Sequence, residues 1–435
     1  VELDQKKQWL LQRPSLCVSP YQKRDFRIVG NNQYGVTCCC NLDPLKGTPD
    51  QVLAASLQNQ THPGCQRCWQ EEAHGHTSER MRTLMAWSQH DLEEFDRSRQ
   101  LPKHQEPEVG MKFSNECNLA CRSCWPHDST LFAKVTNTPV MPDKVQQDLS
   151  EVPEYWNTIL QEIDRTYQQH KNMIVHAIGG EPFVTKGFDR LVNWLCDTGI
   201  AAHVMLRCTT NFTVPIGDYW MSRFQQFRRV QIVASIDSVQ ENYNQVRWPA
   251  KWHKIEHNLD VWARAAVTQP AIFNHTCVIM VFTINNIFYL DTILDWWHQW
   301  QLNHSRVHIL LLNIHVYRPD FLRPENLPDP YRQLLLDRLQ GLDHHAIFDQ
   351  DRHVQLRDFI VNTRDQLQAS TGRDQQSWHW YLHYTAEYDR RTGTDSTVTN
   401  ARLFDCLESQ DLAVYQQQFH ATNLSMPMYA HQDQL

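Results

Sequence analysis

Short apolar, β-branched runs punctuate the middle of the chain at residues 109–113, 172–178, 203–209, 230–236, 275–282 and 306–312. Each has the length of one strand, and most stay apolar at nearly every position, which marks strands buried on both faces of a parallel sheet. Between them the pattern changes to helical spacing. Phe188, Leu191, Val192 and Leu195 share one helical face closed by Gly199, and Leu290, Ile293, Leu294 and Trp297 share another. Strand and helix alternate, which predicts an α/β protein whose six strands and crossover helices build a partial barrel.

Two stretches interrupt this order. Residues 96–107 are polar with two prolines, and residues 318–330 carry four. Read as breaks, they predict an N-terminal domain over residues 1–105, the barrel over 106–330 and a mostly helical C-terminal region over 331–435, where residues 331–339 and 381–391 have helical spacing. At 435 residues the chain has room for two or three domains.

Candidate chemistry sits at the ends of the predicted strands, where α/β proteins place their active sites. Cys117, Cys121 and Cys124 fall within eight residues directly after the first barrel strand. Three thiolates so spaced suit three corners of a [4Fe–4S] cluster, leaving the fourth iron open to bind a small molecule. The same cysteines with His127 would also make a zinc tetrahedron. Gly179-Gly180-Glu181-Pro182 follows the second strand, Thr210-Asn211 the third and Ser235-Ile236-Asp237-Ser238 the fourth. Two adjacent glycines let a ligand approach the backbone closely, and the hydroxyl, amide and carboxylate groups suit a polar cofactor.

In this order and placement the motifs resemble the radical S-adenosylmethionine superfamily, in the branch carrying twitch or half-SPASM modules. The resemblance implies a partial (β/α)6 TIM-like barrel in which Cys117, Cys121 and Cys124 hold a [4Fe–4S] cluster. It further implies that Gly179, Gly180, Glu181 and Pro182 meet the amino group of S-adenosylmethionine. Asn211, Ser235 and Asp237 carry amide, hydroxyl and carboxylate groups suited to its ribose and carboxylate, and Arg247 is either a bidentate partner of that carboxylate or a solvated helix-end arginine. The activity implied is reductive cleavage of S-adenosylmethionine to a 5′-deoxyadenosyl radical that removes a hydrogen atom from a substrate. One position departs from the common pattern: the aromatic residue often found just before the third cysteine is Ser123, with Trp125 one place after it.

Six further cysteines lie upstream, Cys17, Cys38, Cys39, Cys40, Cys65 and Cys68. A pair two residues apart plus distant single cysteines is the arrangement of a closed four-thiolate site, zinc or a second cluster. Beside the barrel motifs it resembles an N-terminal auxiliary [4Fe–4S] module. Cys17, Cys39, Cys65 and Cys68 are the expected ligands, Cys39 being chosen because Val36 then falls at the spacing of similar modules. The remaining Cys196, Cys208, Cys277 and Cys406 read as small core residues.

A formal net charge of −8 gives no sign of a nucleic-acid footprint. The segment from Arg223 to Arg229 reads as an exposed basic helix face, and the fifteen tryptophans, Trp296, Trp297 and Trp300 among them, as packing. No apolar run is long enough to cross a membrane. Thirteen cysteines without a signal peptide point to a reducing cytoplasm. The auxiliary module favours a peptide or protein substrate, with an electron donor such as flavodoxin or ferredoxin. A sugar or amino-acid derivative as substrate, and a cluster protein without turnover, are the alternatives. His308, His315 and Tyr317 are candidates for groups facing the substrate radical, with none preferred.

Overall fold

The computed structural model describes residues 6, 8–10, 12–30, 33–39, 42, 46–73, 78–137, 148–273, 275–316, 319–349, 353–369 and 375–420. The chain divides into two compact units. Unit 1 comprises Val1–Ser114, Pro142–Cys208 and Arg223–Arg229, and unit 2 comprises Asn115–Met141, Thr209–Ser222 and Val230–Leu435.

In unit 1 the strands β1 (Lys23–Gly30), β2 (Gln33–Thr37), β3 (Glu108–Lys112), β4 (Met173–Ile178) and β5 (Val204–Thr210, less its last two residues) lie in the order β2-β1-β3-β4-β5. The β1/β2 hairpin is antiparallel and every other pairing is parallel. Along β4 and β5, Met173, Val175, Ala177, Val204, Leu206 and Cys208 are buried, while His176, Ile178, Met205 and Arg207, pointing to the other face, are half-buried. Two amphipathic helices supply apolar faces. Pro153–His170 buries Tyr155, Trp156, Ile159 and Ile163, and Lys186–Asp197 buries Phe188, Leu191, Val192 and Leu195. Each such side chain, fully buried, contributes about 1.5–3 kcal/mol of transfer free energy. Gly199 ends the second helix at φ +74, the left-handed conformation predicted for that cap.

Unit 2 holds β6 (Arg229–Ser235, less its first residue), β7 (His275–Phe282) and β8 (Ile309–His315), parallel in the order β6-β7-β8. The helix Trp252–Thr268 buries Ile255, Leu259, Trp262 and Ala266, and Leu290–Asn303 buries Ile293, Leu294, Trp297 and Trp300. The tryptophans are packing, as expected: Trp296 meets Trp252 and Trp297 edge to face, each at 4.8 Å between centroids. Beyond β8 the chain is mostly helical, with Asp329–Leu339, Val354–Ala369, Gln375–Thr392 and Ser409–Phe419. Six β/α alternations, β3 to β8, thus give the α/β class and the partial TIM-like barrel expected, with a helical C-terminal region.

Three expectations need correction. The last barrel strand starts three residues later than predicted, because 304–307 close a tight turn in which the Val307 N–H donates to the His304 carbonyl oxygen (2.8 Å). Cys406 is exposed and Cys196 and Cys277 are only half-buried, so of those four thiols Cys208 alone is a full core residue. The arginines near 223–229 are partly consumed inside unit 1: Arg228 pairs with Glu106 at 2.7 Å and Arg223 donates to the Asn193 amide oxygen at 2.5 Å. The pattern also gave no warning that β1 runs parallel beside β3, joining the N-terminal segment to unit 1's sheet.

Unit 1 buries a charge network where β1, β3, β4 and β5 meet. Glu108, 4% exposed, accepts from Arg207 (2.6 Å) and lies 3.1 Å from His176 Nδ1, while Lys23 reaches Glu79 at 3.1 Å. Burial alone would raise the Glu108 carboxyl, yet Arg207, Lys23 and His176 together hold it well below the ordinary 4.5. Glu108→Gln takes a carboxylate away from the half-buried Arg207 and Lys23, the latter keeping Glu79, and should cost about 1–3 kcal/mol at pH 7, read by urea unfolding. Because the folded value is depressed, this stabilisation is complete above pH 4.5 and is lost as pH falls through the lower folded value. Parent and variant should therefore converge in acid and stay apart at neutral pH. Equal stability at pH 7 would show that the network contributes nothing net.

Candidate functional site

In unit 2 the loop carrying Cys117, Cys121 and Cys124 is fixed chiefly through its backbone. The Ala120 N–H donates to the Trp248 carbonyl oxygen (2.8 Å), the Arg122 N–H to that of Val246 (2.9 Å) and the Cys124 N–H to that of Cys121 (2.9 Å). Ser129 closes the loop, its hydroxyl donating to the Leu119 carbonyl oxygen (2.5 Å) and capping the helix Thr130–Thr136 by accepting from the Phe132 N–H (3.1 Å). Cys121 is buried and Cys117 and Cys124 are half-buried. His127, the alternative zinc ligand, lies against the Trp125 ring at 6.0 Å between centroids.

Two of the predicted cofactor residues meet this loop. The Asn211 amide nitrogen lies 3.8 Å from Cys117 Sγ and donates to Asn118 Oδ1 (2.8 Å), while its oxygen accepts from the Thr213 N–H (3.0 Å). Arg247 acts on Cys121: burial pushes that thiol up to about 12, and the nearby guanidinium opposes the rise. Arg247 itself donates to Asp237 Oδ2 (2.8 Å), and Oδ1 of that fully buried carboxylate accepts from the Val281 N–H (2.8 Å). Asn286 further holds the Asp237 carbonyl oxygen (2.6 Å). Asp237 and Arg247 are thus one ion pair, with the carboxylate orienting the guanidinium. Ser235 ends β6, half-buried, opposite Ile279.

The Gly-Gly-Glu-Pro segment belongs to unit 1. Gly179 and Gly180 take φ +83 and +53, and a Cβ on Gly179 would strike the Lys112 side chain, so that position strongly favours glycine on two counts. Glu181 is fully buried and caps the short turn Pro182–Val184, accepting from the Phe183 N–H at 3.2 Å.

Unit 1 also gathers the upstream cysteines. Cys17, Cys38, Cys39, Cys65 and Cys68 line one pocket of about 420 Å³ of atom-free space, part of it open to solvent, together with His62, Trp69 and Arg80. Burial pushes Cys17 up to about 12, with Cys39 and Cys68 near enough to add to the rise. Cys65 is likewise raised, by burial and then by Cys39, Cys17 and Cys68. Neutral thiols at ordinary pH that deprotonate together on taking up a metal are the chemistry of a thiolate site. Arg80 stands over the Trp69 ring (4.6 Å to its centroid) and donates to the Leu16 carbonyl oxygen (2.9 Å), tying the helix Glu79–Ala86 to the residue before Cys17. Cys40 lies outside the described residues, as do Tyr317 and the His315 side chain; His308 is exposed just before β8.

Sequence reasoning missed the residues that hold the cysteine loop from the C-terminal region. Arg122, fully buried, forms an ion pair with the equally buried Asp389. Tyr384 donates to the Arg122 carbonyl oxygen (2.6 Å) and Tyr388 to that of Ala120. An arginine placed between two closely spaced cysteines was the available signal, since a buried cation demands a partner.

No protein-family model matches the chain, and no curated protein matches it. Among solved structures, anSMEcpe with bound AdoMet and the Cp18Cys peptide is 15% identical over 57% of this chain and 62% of its own, with a TM-score of 0.36. Streptococcus suis SuiB bound to its precursor peptide SuiA is 12% identical over 77% of this chain and 70% of its own, also at 0.36. The chain spans less than two thirds of the length of anSMEcpe. Similarity at this level assigns neither activity nor substrate. Among the described residues no helix is long and apolar enough to cross a membrane.

Proposed function

We propose that this chain is a radical S-adenosylmethionine enzyme acting on a peptide or protein side chain. The observation that carries this reading is the cysteine loop of unit 2, where three cysteines share one tightly bonded loop with an amide at Cys117 and an Asp-oriented arginine near Cys121. Three cysteine ligands with no fourth in the motif fit a [4Fe–4S] cluster with an open iron. When bound, the cluster and S-adenosylmethionine supply an electron transfer that yields methionine and a 5′-deoxyadenosyl radical able to abstract a hydrogen atom.

The chain's own residues bind and orient. Cys117, Cys121 and Cys124 ligate iron as thiolates, releasing their protons on loading. Arg247, held by Asp237, offers a guanidinium to the methionine carboxylate, and Asn211 and Ser235 offer polar groups to the ribose. Glu181 supplies negative charge to the ammonium group, and Gly179, Gly180 and Pro182 shape the turn that admits it. Cys17, Cys39, Cys65 and Cys68 hold an auxiliary [4Fe–4S] cluster in a twitch or half-SPASM-like module over residues 1–105, followed by the barrel over 106–330 and the helical region over 331–435. A flavodoxin or ferredoxin delivers the electron, and a reducing cytoplasm suits a chain with thirteen cysteines.

The test is anaerobic incubation of the reconstituted protein with S-adenosylmethionine and dithionite, alone and with a pooled peptide library or a pool of sugars and amino-acid derivatives. Production of 5′-deoxyadenosine that rises with the peptides, together with a mass change in one of them, is expected. Stimulation by the small-molecule pool alone would replace the peptide reading, and absence of 5′-deoxyadenosine from iron-loaded protein in every arm would overturn the enzyme reading.

A further inference from the structure

The cysteine pocket of unit 1 has a buried cation in its wall. Arg80, 7% exposed, lines the pocket with Cys17, Cys39, Cys65 and Cys68. Its head is placed by residues next to two of those cysteines. Arg80 Nη1 donates to the carbonyl oxygen of Leu16, which precedes Cys17 (2.9 Å), and the guanidinium stands 4.6 Å from the ring centroid of Trp69, which follows Cys68. Glu72 binds the other two nitrogens: Nε donates to Glu72 Oε1 (3.0 Å) and Nη2 to Oε2. The Ser78 hydroxyl donates to the same Oε1 and accepts from the Met81 N–H (3.1 Å), capping the helix Glu79–Ala86 that carries Arg80. The described residues lining the pocket include Arg80 and Trp69 but not Glu72, so the ion pair turns its cation toward the pocket and keeps its carboxylate behind.

Four thiolates outweigh the positive charge of an iron–sulfur core, so the bound cluster is an anion, and its net charge is one of the determinants of its reduction potential. A reducing electron makes it more negative still. A fixed cation on the wall therefore stabilises the reduced form more than the oxidised one. It acts through space, with no bond to sulfur required, and more strongly where water is excluded. A carboxylate behind the cation opposes this from further away.

We infer that Arg80 raises the reduction potential of the cluster held by Cys17, Cys39, Cys65 and Cys68, and that Glu72 fixes the guanidinium on the pocket wall while moderating its effect. The step tuned is the uptake of one electron from the flavodoxin or ferredoxin, with no bond made or broken. The inference rests on the auxiliary-cluster reading proposed above.

In the reconstituted full chain, the signal that Cys65→Ala/Cys68→Ala loses identifies this cluster, and the signal that Cys117/Cys121/Cys124→Ala loses is the internal reference. An EPR-monitored redox titration of Arg80→Gln should show the reduced-to-oxidised ratio at the parent midpoint falling at least threefold, about 28 mV more negative for a one-electron couple. Losing the cation and leaving Glu72 negative act in the same direction. Glu72→Gln keeps the cation and removes the opposing charge, and should raise the same ratio at least threefold. A pair that serves packing alone predicts shifts of one sign from the two variants, or none, and either result overturns the inference. Should Arg80→Gln fail to fold or to load iron, Glu72→Gln decides alone, a potential unmoved or more negative being the overturning result. If the parent shows no signal that Cys65→Ala/Cys68→Ala loses, the auxiliary-cluster reading itself has failed, a result distinct from an unmoved potential.

Discussion

The Cys117/Cys121/Cys124→Ala variant is expected to bind about four irons per chain where the parent binds about eight, and to produce no 5′-deoxyadenosine. Three thiolates are the whole protein contribution to a site-open cluster, so their loss removes the cluster rather than weakening it. The loop itself should survive, because its backbone bonds to Trp248, Val246, Tyr384 and Tyr388 use no thiol. Cys121 is buried, and alanine there removes only a sulfur, costing about 1–3 kcal/mol by comparison with other small core truncations. Iron analysis and EPR of the variant, with unfolding as a control, check this. Retention of all iron in a folded variant would show that these cysteines hold none, and zinc in the parent that the variant loses would favour the His127 alternative.

The second large effect concerns the pocket of unit 1. Cys65→Ala/Cys68→Ala should remove the other four or so irons and abolish substrate conversion, while S-adenosylmethionine cleavage persists because the loop at 117–124 uses none of these thiols. Single variants separate the neighbours: Cys39→Ala should lose this cluster and Cys38→Ala should keep it. Both side chains line the pocket, and both are buried. The choice therefore turns on which sulfur reaches the metal, and iron content of the two single variants decides it. Loss of iron from Cys38→Ala with retention in Cys39→Ala would reverse the assignment, and retention in both would leave Cys40 as the fourth ligand.

Much of the barrel was legible in one dimension. Strands buried on both faces must be apolar throughout, so β3 to β7 stood out to within about two residues, and the helices between them announced themselves by a single apolar face. The β8 boundary was misread because Val307, apolar and buried, belongs to a turn, and hydropathy does not distinguish a buried turn residue from a buried strand residue. β1 escaped for the opposite reason. Its run of Lys23, Arg24 and Asp25 looks like surface, and becomes intelligible only beside Glu108, Glu79 and Arg207, which lie far away in sequence.

The candidate site divides in the same way. The candidate residues, three closely spaced thiols, a Gly-Gly-Glu-Pro turn and polar groups at strand ends, are local properties, and their order along the chain is enough to nominate them. Convergence is not local. That Cys17, Cys39, Cys65 and Cys68 share a pocket, that Asp237 holds Arg247, and that Arg122 finds Asp389 some 267 residues on are facts of chain path. A buried charge or thiol acquires its partner and its proton affinity from whatever the fold brings against it, at distances of a few ångströms that no linear pattern records.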